Sequence, residues 1–326
     1  MSSEKFWYMS KWYPSLKNVA QVSFCIELSE DEVEKLVKAI AKVSNLNPCS
    51  FFSDIDAVSF NREKMLKMFE KFELLSILEK IRALLNELKA RYSCRFYTIR
   101  FDHASPKDVA YCIWDGSIDF IGFETRVHPL GQSVAFTDPE PMLMTLLLSE
   151  RCFALSEKDI NAFSKIWLRP FNPRFDPEYR VFVLNGEVKA ITQYYIEISH
   201  SVKIGLSKDK NLCSILVDVF EVFNKVKEVV KSDTYVFDIG SITQVDEKSI
   251  IYTRGLIDIN PCCKDLYLGL FTEEELEKIK NMDKIVLKYL TTNINSIEID
   301  KATVDTLIKD KYKVLISCEL KPSKQR

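Results

Sequence analysis

The stretch RGLIDINP, at residues 254–261, decides how the chain folds. Gly255 and Pro261 bound a run rich in aliphatic residues, which predicts a buried strand. Because side chains two apart on a strand point to the same face, Asp258 and Asn260 project together. A carboxylate and an amide oxygen placed in this way are hard ligands suited to Mg²⁺. The alternative is a plain strand that runs into an Asn-Pro turn.

A second carboxylate is expected beside this strand. Residues 235–239, YVFDI, predict another strand, on which Asp238 can meet Asp258 across an antiparallel pair. Two unpaired carboxylates at short range repel each other, and a bound cation would relieve the repulsion. Residues 241–249 are polar and predict a loop between the two strands. Asp238, Asp258 and Asn260 therefore form one predicted oxygen-rich metal site.

The clearest local pattern is a hairpin at residues 178–195, EYRVFVLNGEVKAITQYY. An Asn-Gly pair joins two alternating strands, and this pair favours a type I′ turn. Regular pairing outward from that turn puts Arg180, Lys189 and Gln193 on one side of the ribbon. Two cations beside an amide predict a surface that faces phosphate, and a solvated hairpin face is the alternative.

Length and composition are those of a globular protein. The chain has 326 residues, of which 47% are apolar and 28% charged, and this length allows two lobes. The net charge of −2 indicates no general attraction to nucleic acid or to an anionic membrane. No apolar run reaches the ~18 residues of a membrane-spanning helix. We therefore expect no membrane, DNA or RNA partner.

Cysteine, histidine and glycine patterns exclude several kinds of site. Nine scattered cysteines and three separated histidines show no zinc-site spacing. The odd cysteine count and the lack of a signal peptide predict reduced thiols in a cytoplasmic protein. The eight glycines form neither a GxxxxGK[ST] nor a GxGxxG pattern, so any nucleotide is bound without these phosphate loops.

The first half of the chain predicts mainly helices. A capping box at Ser29 and Glu32 begins a helix over residues 30–43. An apolar stripe predicts a helical run over residues 61–91, with a break near residues 74–76.

A strand and a helix start follow this helical run. Residues 94–101, CRFYTIRF, alternate as a strand that carries Arg100. The sequence SPKD at residues 105–108 predicts a helix start, whose free N–H groups could hold phosphate or could simply be capped. The aromatic cluster at residues 6–13 is either core or a partner surface. Prolines over residues 167–177 place the lobe boundary there.

In this order, the motifs resemble those of the cell division cycle protein 123 family, from Trp12 to about Leu276. Each piece alone is weak, whereas the ordered set is fairly specific. The matching pieces are KWYPSLKNVAQVSFCIELSEDEVEKL (11–36), SPKDVAYCI (105–113), WLRPFNPRFDPEYRVFV (167–183), ITQYY (191–195), YVFDI (235–239), GLIDINP (255–261) and LFTEEEL (270–276).

The resemblance implies an α+β, ATP-grasp-like fold of two lobes with a nucleotide cleft between them. Residues 1–166 would form the N-terminal lobe, and residues 167–326 the C-terminal lobe with the metal-binding strands. The resemblance implies ATP and Mg²⁺ as cofactors. Its nucleotide-binding residues would be Arg100 beside the phosphates, Trp167, Leu168 and Arg169 at the adenine hinge, Arg180 and Gln193 in the second lobe, and Asp238, Asp258 and Asn260 at the metal.

The chain departs from the family pattern at several of these positions. Arg100 stands where the family has a lysine, which keeps the charge but changes its geometry. Tyr194 replaces an arginine, and Pro170 and Phe171 stand where a basic residue and a tryptophan are usual. The longer separation between the two aspartate strands indicates an inserted loop. The chain therefore resembles a divergent member.

Known members of this family are similar to assembly chaperones. By resemblance, the chain is expected to bind the gamma subunit of eukaryotic translation initiation factor 2 and to promote assembly of that heterotrimer. We expect it to act in the cytoplasm as a monomer. Two alternatives stay open: an ATP-grasp ligase that makes an acyl-phosphate or acts on an RNA end, and a binding protein whose nucleotide site has decayed. The residues do not decide between nucleotide binding and turnover.

Overall fold

The computed structural model describes residues 5–46, 57–128, 133–156, 159–173, 178–194, 210–246, 249–262, 268–282, 284–291 and 314–320. Within these ranges, helices pack on two main sheets, which confirms the expected α+β class. The helices are α1 (Met9–Leu16), α2 (Glu30–Val43), α3 (Arg62–Lys71), α4 (Leu75–Arg91), α5 (Lys107–Trp114), α6 (Pro139–Leu148), α7 (Glu150–Leu155), α8 (Lys210–Val229) and α9 (Glu273–Lys280), with 3-10 turns at Ser44–Leu46 and Ile160–Phe163. The strands are β1 (Phe24–Glu27), β2 (Val58–Phe60), β3 (Tyr97–Phe101), β4 (Ile118–Phe120), β5 (Thr125–Val127), β6 (Val134–Phe136), β7 (Lys165–Pro170), β8 (Tyr179–Leu184), β9 (Glu187–Gln193), β10 (Tyr235–Asp246), β11 (Ser249–Pro261), β12 (Ile285–Thr291) and β13 (Val314–Leu320).

The helices of the first half follow their sequence signals. Ser29 and Glu32 form the predicted capping box at the start of α2. The predicted helical run consists of α3 and α4, and the expected break is confirmed at Glu73, whose φ of 57° is incompatible with a right-handed helix. The apolar stripe of both helices is buried in the core.

The first sheet has the strand order β1-β7-β3-β6-β5, with each neighbouring pair antiparallel. Along β3, Tyr97, Ile99 and Phe101 point into a core that includes residues of α2, α4 and α6. Thr98 and Arg100 point to the opposite face, as the predicted alternation requires. This opposite face looks towards the second sheet.

The second sheet has the strand order β11-β10-β8-β9-β12-β13. One face packs against α8 and α1 through Val181, Phe237 and Ile259. The other face packs against α9 through Phe182 and Val236. Side chains alternate between the two faces, so each strand contributes to two cores.

The aromatic N-terminal segment belongs to the core. Trp12 is 1% exposed and packs in the same core as α8 and the second sheet. The Tyr13 ring lies 5.4 Å from that of Trp167, a residue of the first sheet. Asp102 Oδ1 accepts hydrogen bonds from the Ser10 N–H at 2.7 Å and from the Trp167 indole at 2.9 Å. The segment therefore fastens the two sheets to each other.

The predicted hairpin turn is confirmed. Asn185 and Gly186 have φ angles of 55° and 75°, as a type I′ turn requires. The regular pairing holds only beside the turn, because a β-bulge between Phe182 and Val183 shifts the register by one residue. The prediction of one unbroken register is therefore wrong.

The shifted register separates the three residues expected to face phosphate together. Arg180 lies opposite Thr192, whereas Gln193 belongs to the next pair and so to the other face of the sheet. Lys189 Nζ donates to the Met282 carbonyl at 2.9 Å. The predicted one-sided row of Arg180, Lys189 and Gln193 is wrong for this physical reason.

Strands β10 and β11 continue as a long hairpin where the polar sequence predicts a loop over residues 241–249. Their pairing extends as far as Asp246 and Ser249, so the loop prediction is wrong. Val245 and Ile250, near the tip, pack against the core of the first sheet. The extra residues between the two aspartates therefore brace one lobe against the other.

Residues 18–23 run between the two sheets. Gln21 Nε2 donates to the Pro170 carbonyl at 3.3 Å, and Gln21 Oε1 accepts from the Thr243 N–H at 2.7 Å. A Cβ at Gly255 would clash with the Val19 carbonyl oxygen, so this close approach requires glycine.

The expected lobe boundary between residues 166 and 167 falls inside β7, which pairs within the first sheet. Helix α1 precedes that boundary, yet it packs on the second sheet. The division into residues 1–166 and 167–326 stays a prediction about folding units, which strand pairing does not test. Residues 174–177 of the proline-rich stretch lie outside the described residues.

The described cysteines are not all reduced. Cys25, Cys94, Cys152 and Cys262 carry reduced thiols, whereas Cys112 is disulfide-bonded, so the expectation of reduced thiols is wrong at that position. Among the helices in the described ranges, none has the length and apolar character needed to cross a membrane.

Candidate functional site

A cleft of ≈ 150 Å³ lies between the two sheets. Its cations come from the first sheet and from the start of α5, whereas its carboxylates come from the second sheet and the residue that precedes it. The charged residues that line it are Arg100, Lys107, Arg169, Glu178, Asp238 and Asp258. The cleft therefore has a basic wall and an acidic wall.

The basic wall is built by β3 and β7. Antiparallel pairing places Arg100 opposite Trp167 and Thr98 opposite Arg169, and paired residues share a face. Leu168 lies between the two β7 residues and points the other way, into the first core, where it is fully buried. Of the three predicted hinge residues, Arg169 lines the cleft.

Arg169 is a buried cation whose hydrogen bonds go to uncharged atoms. Its Nε donates to Ser23 Oγ at 2.9 Å and its Nη2 to Met9 Sδ at 3.0 Å. Among the described residues, the ion pairs of the cleft go to Arg100 and Arg180 instead. Burial and the like charge of Arg100 lower the pKa of Arg169 to about 9. A bound anion would relieve both effects, so Arg169 is a candidate contact for an anion.

The acidic wall is a row of residues across the second sheet. The registers of β9, β8, β10 and β11 place Thr192, Arg180, Asp238 and Asp258 side by side. The predicted pairing of Asp238 with Asp258 is confirmed. A β-bulge follows this pair directly, between Asp238 and Ile239, with Ile257 as the extra residue on β11. Bulges of this kind commonly re-aim a side chain beside a site.

Asp238 accepts three hydrogen bonds from side chains. Its Oδ1 accepts from Arg180 Nε and its Oδ2 from Arg180 Nη2, both at 2.8 Å. Asn260 Nδ2 adds a third donor to Oδ2 at 3.3 Å. Asp238 is 4% exposed and Arg180 is 3% exposed. Because breaking a buried pair costs roughly 3–5 kcal/mol, this pair is a fixed part of the sheet.

Asp258 joins the acidic wall to the basic wall. Its Oδ2 accepts from Arg100 Nη1 at 3.0 Å, and its Oδ1 accepts from the Ile259 N–H at 3.2 Å. Burial raises the pKa of Asp258, but the charges of Arg100 and Arg169 outweigh burial and hold that pKa below its usual value. Both aspartates thus have arginine partners, and the expected repulsion between unpaired carboxylates does not arise.

Lys107 is a cleft residue that the sequence reasoning missed. It lies in the first turn of α5, and Ser105 and Pro106 line the cleft beside it. Its Nζ donates to Tyr194 Oη at 3.0 Å, and the Arg180 guanidinium lies 4.3 Å from the centre of the Tyr194 ring. The SPKD helix start was the available signal for Lys107, but nothing in it indicates a contact with the second sheet.

Several predicted nucleotide contacts stay predictions. Trp167 packs against Tyr13 and donates to Asp102, Leu168 lies in the first core, and Gln193 lies on the sheet face opposite to Arg180. Arg100, Arg169, Asp238 and Asp258 line one cleft. The structure therefore brings four of the predicted residues into one cleft, and the others, Trp167, Leu168, Arg180, Gln193 and Asn260, lie outside its lining.

The chemistry of the cleft fits a magnesium–polyphosphate complex. Mg²⁺ in proteins is held by one or two carboxylates together with phosphate oxygens and water. Asp258 Oδ1 is a hard oxygen of this kind in the cleft, Asn260 Oδ1 is another on the same strand outside the cleft lining, and Arg100, Lys107 and Arg169 match the charge of phosphates. Among the described residues, no group of three or more His, Cys, Asp or Glu side chains could hold a metal ion. The predicted metal site therefore depends on phosphate oxygens for part of its coordination.

Comparison with known proteins gives one family and a small set of similar folds. The D123 family model matches residues 152–311. The structure of Cdc123 from Schizosaccharomyces pombe matches with a TM-score of 0.51 and 17% identity, over 87% of this chain and 95% of that chain. A C-terminally truncated Cdc123 from the same organism matches with a TM-score of 0.54 and 17% identity, over 87% and 94%.

At identities this low, the two matches show a shared fold and nothing more. This likeness to Cdc123 confirms the expected ATP-grasp-like fold class. D-alanyl-alanine synthetase A from Vibrio cholerae O1 biovar eltor also matches, over 92% of this chain and 62% of that chain. Its 8% identity and TM-score of 0.32 are too low to support an argument. Among curated protein sequences, no significant match was found.

Proposed function

We propose, because this chain belongs to the cell division cycle protein 123 family, that it binds ATP with Mg²⁺ in the cleft between its sheets. We further propose that it acts in the cytoplasm as an assembly chaperone for eukaryotic translation initiation factor 2, by binding the gamma subunit of that factor. The nucleotide part of the proposal draws on the geometry of the cleft. The proposed partner is supported by the family resemblance.

The observation that carries the nucleotide proposal is the separation of charge in the cleft. Arg100 and Arg169 share the basic wall, and Lys107 lies at the adjoining helix start. Asp258 faces them from the acidic wall. A polyphosphate with a bound cation presents the complementary pattern, since its phosphates need positive charge and its metal ion needs oxygen ligands. Arg169 in particular lacks a carboxylate partner among the described residues, so a phosphate would complete its surroundings.

A thermal-unfolding titration with ATP and excess Mg²⁺ tests the nucleotide proposal. At an ATP concentration of about 100 times the dissociation constant, binding stabilises the folded protein by ~2.7 kcal/mol. Arg169→Met and Asp258→Asn should each remove most of this stabilisation. Arg95→Met is the matched control, because Arg95 is exposed and pairs with Glu124 at 2.6 Å outside the cleft.

Two results would contradict nucleotide binding in this cleft. One is a wild-type protein that ATP does not stabilise at any concentration. The other is a wild-type response that persists unchanged in both cleft variants, because the nucleotide would then bind elsewhere.

The partner is tested by a pull-down with purified gamma subunit, in the presence and absence of Mg–ATP. We expect the wild-type chain to retain the gamma subunit. The Arg169→Met variant, in which nucleotide binding is weakened, should retain less of it. A gamma subunit that is not retained in either condition counts against the assembly role. If the gamma subunit is retained equally with and without nucleotide, partner binding does not depend on the cleft.

A decayed nucleotide site is the second candidate, and one observation favours it. Both aspartates of the cleft already have arginine partners, Arg180 for Asp238 and Arg100 for Asp258. A site neutralised in this way could persist as a structural charge cluster after nucleotide binding was lost. The same titration decides, because a decayed site predicts no stabilisation by ATP in the wild type.

A further inference from the structure

We propose that a groove outside the cleft binds a small zwitterionic amino acid. The groove has a volume of ≈ 380 Å³ and lies where the start of α3, the second half of α4 and the junction of β6 with α6 meet. Among the described residues, none lines both the groove and the cleft. The proposal is therefore independent of nucleotide binding.

Glu140 brings a buried carboxylate to this groove, and one of its two oxygens lacks a donor. The side chain is 7% exposed. Its Oε1 accepts from Arg82 Nη2 at 3.2 Å and lies 3.7 Å from Arg62 Nε. Its Oε2 is buried and receives no hydrogen bond from the described part of the chain. A buried acceptor without a donor is unfavourable, so a ligand that donates to Oε2 would be stabilised there.

The start of α6 holds this carboxylate in place. All ten residues of the helix, Pro139–Leu148, are buried, so packing fixes the position of Glu140 in the first turn. Pro139 and Pro141 have no N–H, which removes two of the donors that the first turn of a helix normally offers. The carboxylate is therefore preorganised, and its own helix supplies few donors to it.

Lys89 brings a positive charge to the same groove. It is half-buried on α4, and its Nζ donates to the Thr137 carbonyl. An ammonium has three donors, so two remain for other partners. Within the described ranges, Arg62 and Arg82 form ion pairs with Asp138 at 3.3 Å and with Glu140 at 3.2 Å, whereas Lys89 forms none.

These two groups define the chemistry of the ligand. A ligand ammonium can donate to Glu140 Oε2, and a ligand carboxylate can accept from Lys89, both as charge-assisted hydrogen bonds. The amide of Asn86, which also lines the groove, can donate or accept. Because the other charges of the groove are paired with each other, a ligand without net charge fits better than a metal ion or a polyphosphate.

The size of the groove fits a small organic ligand. One water needs only about 10–15 Å³ of such volume, whereas pockets for small molecules have roughly 300–1,000 Å³. The groove, at ≈ 380 Å³, lies at the lower end of the second range. Leu85 and Pro139 add a short apolar lining beside the charges, which a small aliphatic side chain can contact.

The test is a ligand-observed NMR titration of the protein with L-alanine and two control compounds. Propionate lacks the ammonium group, and the trimethylated form of alanine keeps the positive charge but has no N–H. L-alanine is thus the one compound of the three that can donate to Glu140. We expect it to bind at least about tenfold more tightly than either control.

Substitutions test the two contacts separately. Lys89→Met removes the cation, and Glu140→Gln keeps the shape of the side chain but removes its charge. Each should weaken L-alanine binding by at least about tenfold. Lys38→Met is the matched control, because Lys38 is exposed on α2 and pairs with Glu34 at 2.6 Å, outside the groove. It should bind L-alanine as the wild type does.

Three results would overturn the proposal. One is a wild type that does not bind L-alanine, which would leave water as the partner of Glu140. Another is equal binding of L-alanine and propionate, because the ammonium would then make no contact. The third is binding that persists unchanged in Lys89→Met. That variant changes a half-buried side chain, so it decides even if Glu140→Gln fails to fold.

Discussion

Two buried arginines on opposite walls of the cleft, Arg180 and Arg169, accommodate their charge in opposite ways. Arg180 forms a bidentate ion pair with Asp238, with both hydrogen bonds at 2.8 Å. Arg169 is also buried, but it donates to Ser23 Oγ and Met9 Sδ, and burial together with the nearby charge of Arg100 lowers its pKa. The first charge has a carboxylate within ion-pair distance, and among the described residues the second has none.

The difference separates stability from function. A neutralised buried pair strongly resists the loss of either partner, because the remaining charge has no solvent. An uncompensated buried charge costs stability in the free protein, and it returns that free energy when an anion binds. Arg180 should therefore be important for folding and Arg169 for binding. Substitutions on each wall can test this division.

The largest effect is expected for Arg180→Met. The substitution leaves the Asp238 carboxylate buried without its cation, and the free energy of unfolding should fall by about 3–5 kcal/mol. Urea denaturation measures the loss. Adding Asp238→Asn to the same chain should recover most of it, because the stranded charge is then removed. A single variant that loses less than about 1 kcal/mol would place the pair among weak surface contacts.

His128, which also lines the cleft, is expected to make stability depend on pH. Burial and the charge of Lys107 lower the pKa of His128 to about 4, below the unfolded value of about 6.5. Between these values the unfolded chain binds the proton first, so stability is lost as the pH falls from about 6.5 to 4. The loss is on the order of 2–3 kcal/mol.

The measurement is urea denaturation at a series of pH values across this window, on the wild type and on His128→Gln. The variant should show a shallower pH dependence. Equal slopes in the two proteins would mean that other groups carry the titration. Such a result would show that His128 does not control the pH dependence of stability.

Arg169→Met should have the reverse effect to Arg180→Met. Removing a charge that burial and Arg100 disfavour should leave the free energy of unfolding unchanged or raise it by about 1 kcal/mol. The same change should weaken ATP binding by at least about tenfold, because one of three cations is lost. Thermal unfolding with and without Mg–ATP measures both. A destabilised variant that still binds ATP normally would contradict the assignment of Arg169 to the ligand.

The smallest effect is expected for Tyr194→Phe. The substitution keeps the ring beside Arg180 and removes the hydroxyl that accepts from Lys107 at 3.0 Å. The free energy of unfolding should fall by about 0.5–1.5 kcal/mol, the net contribution of one hydrogen bond. Tyr194→Ala, which also removes the ring, should cost more. Equal losses in the two variants would show that the ring against Arg180 contributes nothing.

Much of the secondary structure follows from the sequence because its signals are local. The capping box at Ser29 and Glu32 and the Asn-Gly turn involve residues a few positions apart, so short-range sterics and hydrogen bonds decide them. The pairing of Asp238 with Asp258 is predictable for a related reason. Two strong strand patterns that follow each other in sequence tend to pair with each other.

Predictions from the sequence are wrong where long-range packing decides the geometry. The β-bulge beside Phe182 moves Arg180 away from the side of Gln193, and no local signal marks it. The residues expected to form a loop extend β10 and β11, because the tip of their hairpin gains a packing surface on the other lobe. Lys107 meets Tyr194 from a helix start 87 residues earlier. Such contacts depend on how the two sheets are placed.

The sequence by itself indicated which residues to expect at the site: the strand with Asp258 and Asn260, the neighbouring Asp238, and the arginines at 100 and 180. Only the tertiary structure decided how their charges are divided. Burial makes each charge depend on its nearest partner, and those partners come from strands far apart in the chain. Asp238 thereby meets Arg180 within one sheet, whereas Asp258 meets Arg100 across the cleft. Two aspartates that look alike in the sequence therefore differ in the sheet that supplies their arginine partner.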